Sequence, residues 1–250
     1  MINLSKDEIL SWLKKSLMDN EDCAEPNIVC AGIGGGGCNI VSELSRKSKN
    51  VKHYCLNTDF ISNAKRSDLS QVNVGMDYIL DNRDSGGYPE IGRKVFKEDG
   101  DLINYSVFSD ADLIILVAAL GGGTGSGGII ELVRMIKKSN TPFRVYVVRP
   151  FEFEDNRKSV ADATLVQLKL ETDQIEIFDN NEFQSIQEAN KTIRDEIDSF
   201  ISSKLFFLKG EYRNQIESML KEELDEVMEE KELDIEIEVE PTVSETVRPP

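Results

Sequence analysis

The residues of this 250-residue chain best suited to chemistry are glycines and hydroxyls gathered in two short runs. The first is Gly34, Gly35, Gly36 and Gly37. The second is Gly121, Gly122, Gly123, Thr124, Gly125, Ser126 and Gly127. Glycine takes backbone conformations that other residues avoid and lets main-chain N–H groups come close to a ligand. Where such a run opens a helix, the first amides lack intrahelical partners and carry about half a positive charge, which suits anions and phosphate above all. Thr124 and Ser126 add hydroxyl donors. Neither run carries the lysine of a G-x-x-x-x-G-K-[ST] loop, so amides and hydroxyls must hold the phosphate charge. The single histidine, His53, lies inside a strand-like run and reads as a core or edge residue rather than a catalyst.

Each glycine run needs a strand before it and a helix after it. Residues 113–119 are uniformly apolar, as in a strand buried on both faces. Ile129, Ile130, Val133 and Ile136 then recur at helical spacing among Arg134, Lys137 and Lys138. Upstream, residues 28–33 form a second buried strand, and Ile40, Val41 and Leu44 mark the sheet-facing side of its helix. Strand patterns recur at 51–56, 71–75, 143–148 and 174–178. Helical patterns begin at Pro89, a residue tolerated at the first helical position, and recur at 102–108 and 158–170. This alternation predicts an α/β fold, a parallel Rossmann-like sheet with helices on both faces. Ligands of such sheets bind at the carboxyl ends of the strands, so both glycine runs and Asn57-Thr58-Asp59 should meet at one edge. Ile186, Ala189, Ile193, Ile197, Phe200 and Leu205 describe a long central helix, expected to end at Lys209-Gly210.

The flanks differ from this body. Residues 1–25 read as an amphipathic helix, opened by the capping box Ser5-x-x-Glu8, and a polar link. Residues 26–208 make the α/β domain that carries both glycine runs. Residues 209–232 form an extra C-terminal helix, acidic and amphipathic. In residues 233–250 the alternation of Leu233, Ile235, Ile237 and Val239 with acids suggests a strand or a solvated tail. From Lys209 onward the chain holds 14 acids against 5 bases, about half of its net charge of −17. That balance argues against nucleic-acid binding, which rests on basic patches. No apolar run approaches the roughly 20 residues needed to span a membrane, and the start has no signal-peptide pattern, so neither membrane insertion nor export is expected. Four cysteines show neither a C-x-x-C pair nor zinc spacing, so no metal site is expected; two sit in apolar strand-like runs, where a free thiol behaves as a small hydrophobe, and the expected compartment is a reducing cytoplasm.

Gly32-x-Gly34 with Asp59 about 25 residues on could suit a dinucleotide, and an NAD-dependent oxidoreductase is a remote alternative. It leaves the richer second glycine run unexplained, whereas two glycine loops closing on one phosphate chain suit a triphosphate. At this point the motifs resemble those of the tubulin/FtsZ GTPases. GIGGGGCNIV resembles that family's first glycine loop, and Leu56-Asn57-Thr58-Asp59 its second. Gly86-Gly87-Tyr88-Pro89-Glu90-Ile91-Gly92 resembles the third loop, near the γ-phosphate, GGGTGSG the family signature, and RPFEFEDNRK the segment that bears a ribose-contacting acid.

The resemblance implies a tubulin/FtsZ nucleotide-binding domain that binds GTP and GDP, with Mg²⁺ held largely by phosphates and water. It places Gly34 to Gly37, Asp59, Gly86, Gly87 and Gly121 to Gly125 around the phosphates, with Thr124 and Ser126 as donors. Asn39 would face the guanine or ribose edge, and Glu154 the ribose. Lys158 stands where an arginine is usual, with Arg157 beside it as a substitute. Asn190, together with Asn180 or Asp179, would read the base. Ile186 stands where the family often has a stacking aromatic. The family's acidic loop after the central helix has no counterpart in residues 204–210, and its second domain has none in residues 211–250. The expectation is therefore a self-associating guanine-nucleotide binder, homodimeric or oligomeric, with slow or non-standard GTP hydrolysis and no assignable catalytic residue. The alternative is a non-hydrolysing, nucleotide-gated scaffold that binds a partner through its C-terminal helix and strand.

Overall fold

The computed structural model describes residues 26–48, 50–75 and 84–237. Residues Pro26–Leu205 form one compact unit, and residues 206–237 belong to a second. The first is built on six parallel strands: β1 Ile28–Ile33, β2 Val51–Asn57, β3 Ser70–Asn73, β4 Leu113–Ala119, β5 Phe143–Arg149 and β6 Ile175–Asp179. Their order across the sheet is β3-β2-β1-β4-β5-β6. β1 therefore lies between β2 and β4, with Ile33 level with Leu56 on one side and Ala118 on the other. Every residue of β1 is buried, as its unbroken apolar run requires.

Helices cover both faces. In chain order they are α1 Gly34–Ser45, α2 Phe60–Asn63, α3 Pro89–Glu98, α4 Gly100–Ile103, α5 Gly123–Ser139, α6 Asp155–Glu171 and α7 Ile186–Ile237. Val29, Ala31, Ile33, Ile114 and Leu116 point to one face. There they pack with Val95 and Phe96 of α3, Ile129 and Val133 of α5, and Leu165 and Leu168 of α6. The alternate residues, among them Cys30, Ile115 and Tyr146, take the opposite face. Ile40, Val41 and Leu44 of α1 and Ala189, Ile193, Ile197 and Ile201 of α7 supply its buried side chains. Tyr146 stacks on Phe178 of β6 and meets Phe200 of α7 edge-on. Lys47, just past α1, holds Asp195 of α7 at 3.0 Å, and Arg194 reaches Glu43.

The sheet, the helices on both faces and the convergence of loops at one edge match the sequence pattern; three expectations do not hold. First, Cys38 of α1 and Cys55 of β2 form a disulfide, with Cα atoms 5.2 Å apart, and only Cys30 is a free thiol among the described residues. Gly32 explains it: a Cβ there would lie 2.7 Å from Cα of Cys38, so its missing side chain lets α1 come down until Cys38 reaches the neighbouring strand. Second, α7 does not stop at Lys209-Gly210 but continues to Ile237. One interior glycine costs a helix only about 1 kcal/mol, and strong helix formers flank it with no proline before Pro241. Third, Leu233 to Ile237 are helical, not a strand: propagating an existing helix needs no new nucleus. The expectations for 1–25 and for 238–250 lie outside the described residues.

Candidate functional site

The parallel sheet delivers its loops to one edge. Helix α1 starts at Gly34, immediately after β1, and α5 at Gly123, four residues after β4. Between these two helix starts lies a cavity of about 520 Å³, lined by Gly34, Gly35, Gly36, Gly121, Gly122, Gly123, Thr124 and Gly125. Asn57 and Asp59 reach it from the end of β2, Asp84, Ser85 and Gly87 from the segment before α3, and Asn156 and Arg157 from α6. A second cavity of about 420 Å³ adjoins it, lined by Asn39, Phe151, Phe153, Glu154, Asn180, Ile186 and Asn190. Gly36, Ala119, Leu120 and Arg157 border both, so the two form one cleft.

The glycines divide by what surrounds them. At Gly34 and Gly121 φ is positive, 69° and 95°, and a Cβ would also press on Gly125 or Arg157. Gly123 lies under the third loop, where a Cβ would sit 2.7 Å from the Tyr88 amide nitrogen. Gly37 packs against the Val117 carbonyl and does not border the cleft. Gly35 and Gly122 are different. Neither has a positive φ, and a Cβ on either would meet no protein atom within 4 Å. Backbone conformation and packing both admit a side chain there, yet both positions are bare and face the cavity. Such a cradle suits a phosphate chain held by main-chain amides.

A buried hydroxyl knot ties the loops together. Thr124 Oγ1 lies 2.6 Å from Thr58 Oγ1 and 3.0 Å from Ser85 Oγ, and the Ser85 amide donates to Thr58 Oγ1 at 3.2 Å. The two hydroxyl–hydroxyl links use two of three hydroxyl hydrogens and leave one over; Thr124 and Ser85 border the cavity. Ser126 does not line the cleft; its buried hydroxyl accepts from the Gly121 amide at 2.9 Å and so fixes the loop itself. Asp59 caps α2 by accepting from the Ser62 amide, and Asp84 accepts from the Gly86 amide. Gly86 itself is off the lining, next to Gly87. Arg157, the only cation on the lining among the described residues, pairs with Glu154 at 2.9 Å. Lys158 turns away to Glu152.

In the second cavity, Asn39 Oδ1 accepts from Arg66 at 2.8 Å, which leaves the amide hydrogens of Asn39 as its free donors. Asp179 is engaged by Arg149 at 3.0 Å and stays off the lining, while its neighbour Asn180 borders the cavity. Glu154 braces the loop after β5, accepting from the Phe151 amide as well as from Arg157. Of the other residues expected at the site, only Gly37, Gly86, Ser126 and Lys158 stay off the lining of both cavities. Thr58 was expected at this edge as part of Asn57-Thr58-Asp59; Ser85, Asp84 and Arg66 were not expected at the site. Thr58 lies inside a quoted motif, where its type alone was a signal, and Ser85 just before another; Arg66 carried none. His53 lies on β2 away from the cleft, and burial pushes its imidazole down to about 4. Among the described residues no three His, Cys, Asp or Glu side chains gather to hold a metal ion, and no helix is long and apolar enough to cross a membrane.

An amide-lined cleft at the carboxyl edge of a 3-2-1-4-5-6 parallel sheet agrees with the comparison to known proteins. Residues 27–188 match the model of the GTPase domain of the Tubulin/FtsZ family, and the chain belongs to that family. It is 29% identical over 177 residues to the cell division protein FtsZ of Neisseria gonorrhoeae, covering 70% of this chain and 45% of that one. With the mitochondrial division protein fszB of Dictyostelium discoideum the identity is 31% over 172 residues, 67% of this chain and 46% of the other. The chain thus spans less than half the length of these relatives. The same fold occurs in an empty FtsZ dimer from M. jannaschii, with a TM-score of 0.65 at 24% identity over 84% of this chain and 59% of that one. It recurs in a GTPγS-bound protofilament of CetZ2 from Haloferax volcanii, with a TM-score of 0.62 at 24% identity over 72% and 58%.

Proposed function

We propose that this chain binds a guanine nucleotide, GTP or GDP, with the phosphates in the glycine-lined cavity and the base in the adjoining one. The observation that carries the reading is the pair Gly35 and Gly122, bare where neither conformation nor packing calls for glycine. In this reading the amides of 34–36 and 121–125 and the free hydroxyl hydrogen of the Thr58–Thr124–Ser85 knot hold phosphate oxygens. Arg157 adds the cationic charge expected of Lys158. Asn180 and Asn190 offer carboxamides, which can both donate and accept, to the guanine edge, and Glu154 takes the ribose. Asp59 and Asp84 are the carboxylates nearest a Mg²⁺ that would be held mainly by phosphate oxygens and water. Nucleotide released from the purified protein by denaturation should elute as GDP or GTP; release of adenine nucleotide alone, after loading with an equimolar mixture, would refute the guanine assignment.

Turnover in this reading is slow or absent. Phosphoryl transfer to water needs a group that positions the attacking water, and α7 runs unbroken through 204–210 without an acid. The protein is thus a nucleotide-gated, self-associating module of the cytoplasm, with the acidic continuation of α7 as its partner-binding element. The GTPγS-bound protofilament and the dimer among its structural relatives support self-association. Truncation after Gly210 should remove association, read as mass in solution, and leave nucleotide binding intact.

A further inference from the structure

The disulfide lies directly beneath the cleft. Cys38 adjoins Gly37 at the first glycine turn, and Cys55 precedes by two residues Asn57, which lines the larger cavity. Both cysteines are fully buried. The bond therefore joins the turn that lines the phosphate cavity to the strand that delivers Asp59. We propose that Cys38 and Cys55 are a redox-active dithiol pair that sets nucleotide affinity, the oxidised form holding the first glycine turn in its binding geometry. The proposal rests on the nucleotide reading above and adds regulation to it.

Three features support a coupling rather than a passive cross-link. First, the turn has no slack toward the sheet: Cα of Cys38 already closes on Gly32, Gly36 faces the Ala119 side chain and Gly37 the Val117 carbonyl. Two unbonded sulfurs need more room than two bonded ones, and the side on which the turn is unpacked is the outward one, where Gly35 meets no protein atom and residues 34–36 border the cavity. Second, the reduced state is chemically provided for. Sγ of Cys38 lies 3.3 Å from the Gly32 carbonyl oxygen and 3.9 Å from that of Leu56, acceptors to which a thiol donates. Third, both sulfurs are sealed from solvent, so a reagent reaches them only when the turn opens, the motion that a bound nucleotide opposes.

Oxidation is a two-step exchange with a low-molecular-weight disulfide such as oxidised glutathione. One cysteine thiolate attacks a glutathione sulfur and expels glutathione; the second attacks the mixed disulfide and expels the other. Two protons and two electrons leave the cysteines, and the glutathione disulfide becomes two thiols. Reduction by a dithiol is the reverse. By linkage, a nucleotide that binds the oxidised form more tightly must also favour oxidation to the same degree.

The test titrates a fluorescent GDP analogue against the full chain oxidised with glutathione disulfide, the same chain reduced with a phosphine, and the variants Cys38→Ala and Cys55→Ala. The oxidised chain should bind about tenfold more tightly than the reduced chain, within the usual range of coupling between sites. Both variants should ignore oxidant, because neither can form the bond, while Cys30→Ala keeps the full response. Saturating GDP should slow the appearance of two new free thiols, counted by alkylation and mass spectrometry on the unmodified chain. Equal affinities of the two wild-type forms, or a thiol-release rate indifferent to GDP, overturn the coupling and leave the nucleotide reading standing. Absence of GDP binding in both forms overturns both.

Discussion

Replacing Thr124 with valine preserves side-chain shape and removes the hydroxyl at the centre of the loop knot. In the wild type that oxygen links Thr58 at 2.6 Å and Ser85 at 3.0 Å, all within a buried cluster. Two hydrogen bonds at about 1 kcal/mol each disappear, and a buried hydroxyl loses its partner, so the domain should lose about 2–3 kcal/mol. For a domain of this size that is a fall in Tm of about 4–12 °C by calorimetry. The nucleotide loses more. In the proposed complex Thr124 orders Thr58 and Ser85 so that the spare hydrogen meets a phosphate oxygen; a donor to a charged oxygen is worth about 1.5–3 kcal/mol, so losing that order should raise the Kd for GDP about 10–150-fold. Thr124→Ser keeps the hydroxyl and should restore most of the affinity. A valine variant with wild-type Kd would refute the assignment of the knot to phosphate binding, even if its Tm falls.

The same geometry sets three further outcomes. Phe153 is 79% exposed and stacks on Phe151 at the rim of the second cavity, with no other aromatic ring on its lining among the described residues; Phe153→Ala should weaken GDP about fivefold or more through lost base stacking, with Tm unchanged, and a selective loss for inorganic pyrophosphate instead would contradict it. His53 has its pKa lowered to about 4 by burial, so the folded state takes up its proton later than the unfolded chain as pH falls. Stability should be whole above about pH 6.5 and fall by no more than about 3 kcal/mol as pH drops toward 4, and His53→Gln should flatten that part of the Tm–pH curve. Gly210→Ala should raise helicity and add about 0.5–1 kcal/mol, because a Cβ there meets open space inside α7; a loss would place a left-handed cap at that position instead.

Buried parallel strands are uniformly apolar, and β1 and β4 were legible for that reason alone; the edge they share was legible from their alternation with helices. The glycine runs marked the lining of the larger cavity because they depart so far from ordinary strand–helix turns. Which glycines face the cavity and which face protein was not legible: Gly37 and Gly122 read alike in the chain, yet one packs on Val117 and the other borders the cavity. The same holds for Thr124 and Ser126, two residues apart, one in the knot and one holding its own loop. The Cys38–Cys55 bond crosses from a helix to a neighbouring strand, a pairing that spacing does not encode. α7 outran its apparent stop because local helix formers outweighed one glycine, a balance of small terms that no single motif announces.

Calorimetric titration of the full chain with GDP and, separately, with ADP probes the central claim most directly, since the two ligands share phosphates and ribose and differ in the base. An amide-lined cradle joined to a carboxamide-lined base pocket predicts one GDP bound per chain, and ADP weaker by at least about 30-fold, because two base-reading groups would be left mispaired at about 1–3 kcal/mol each. Equal affinities for the two nucleotides, or no heat with GDP at millimolar concentration, would contradict it.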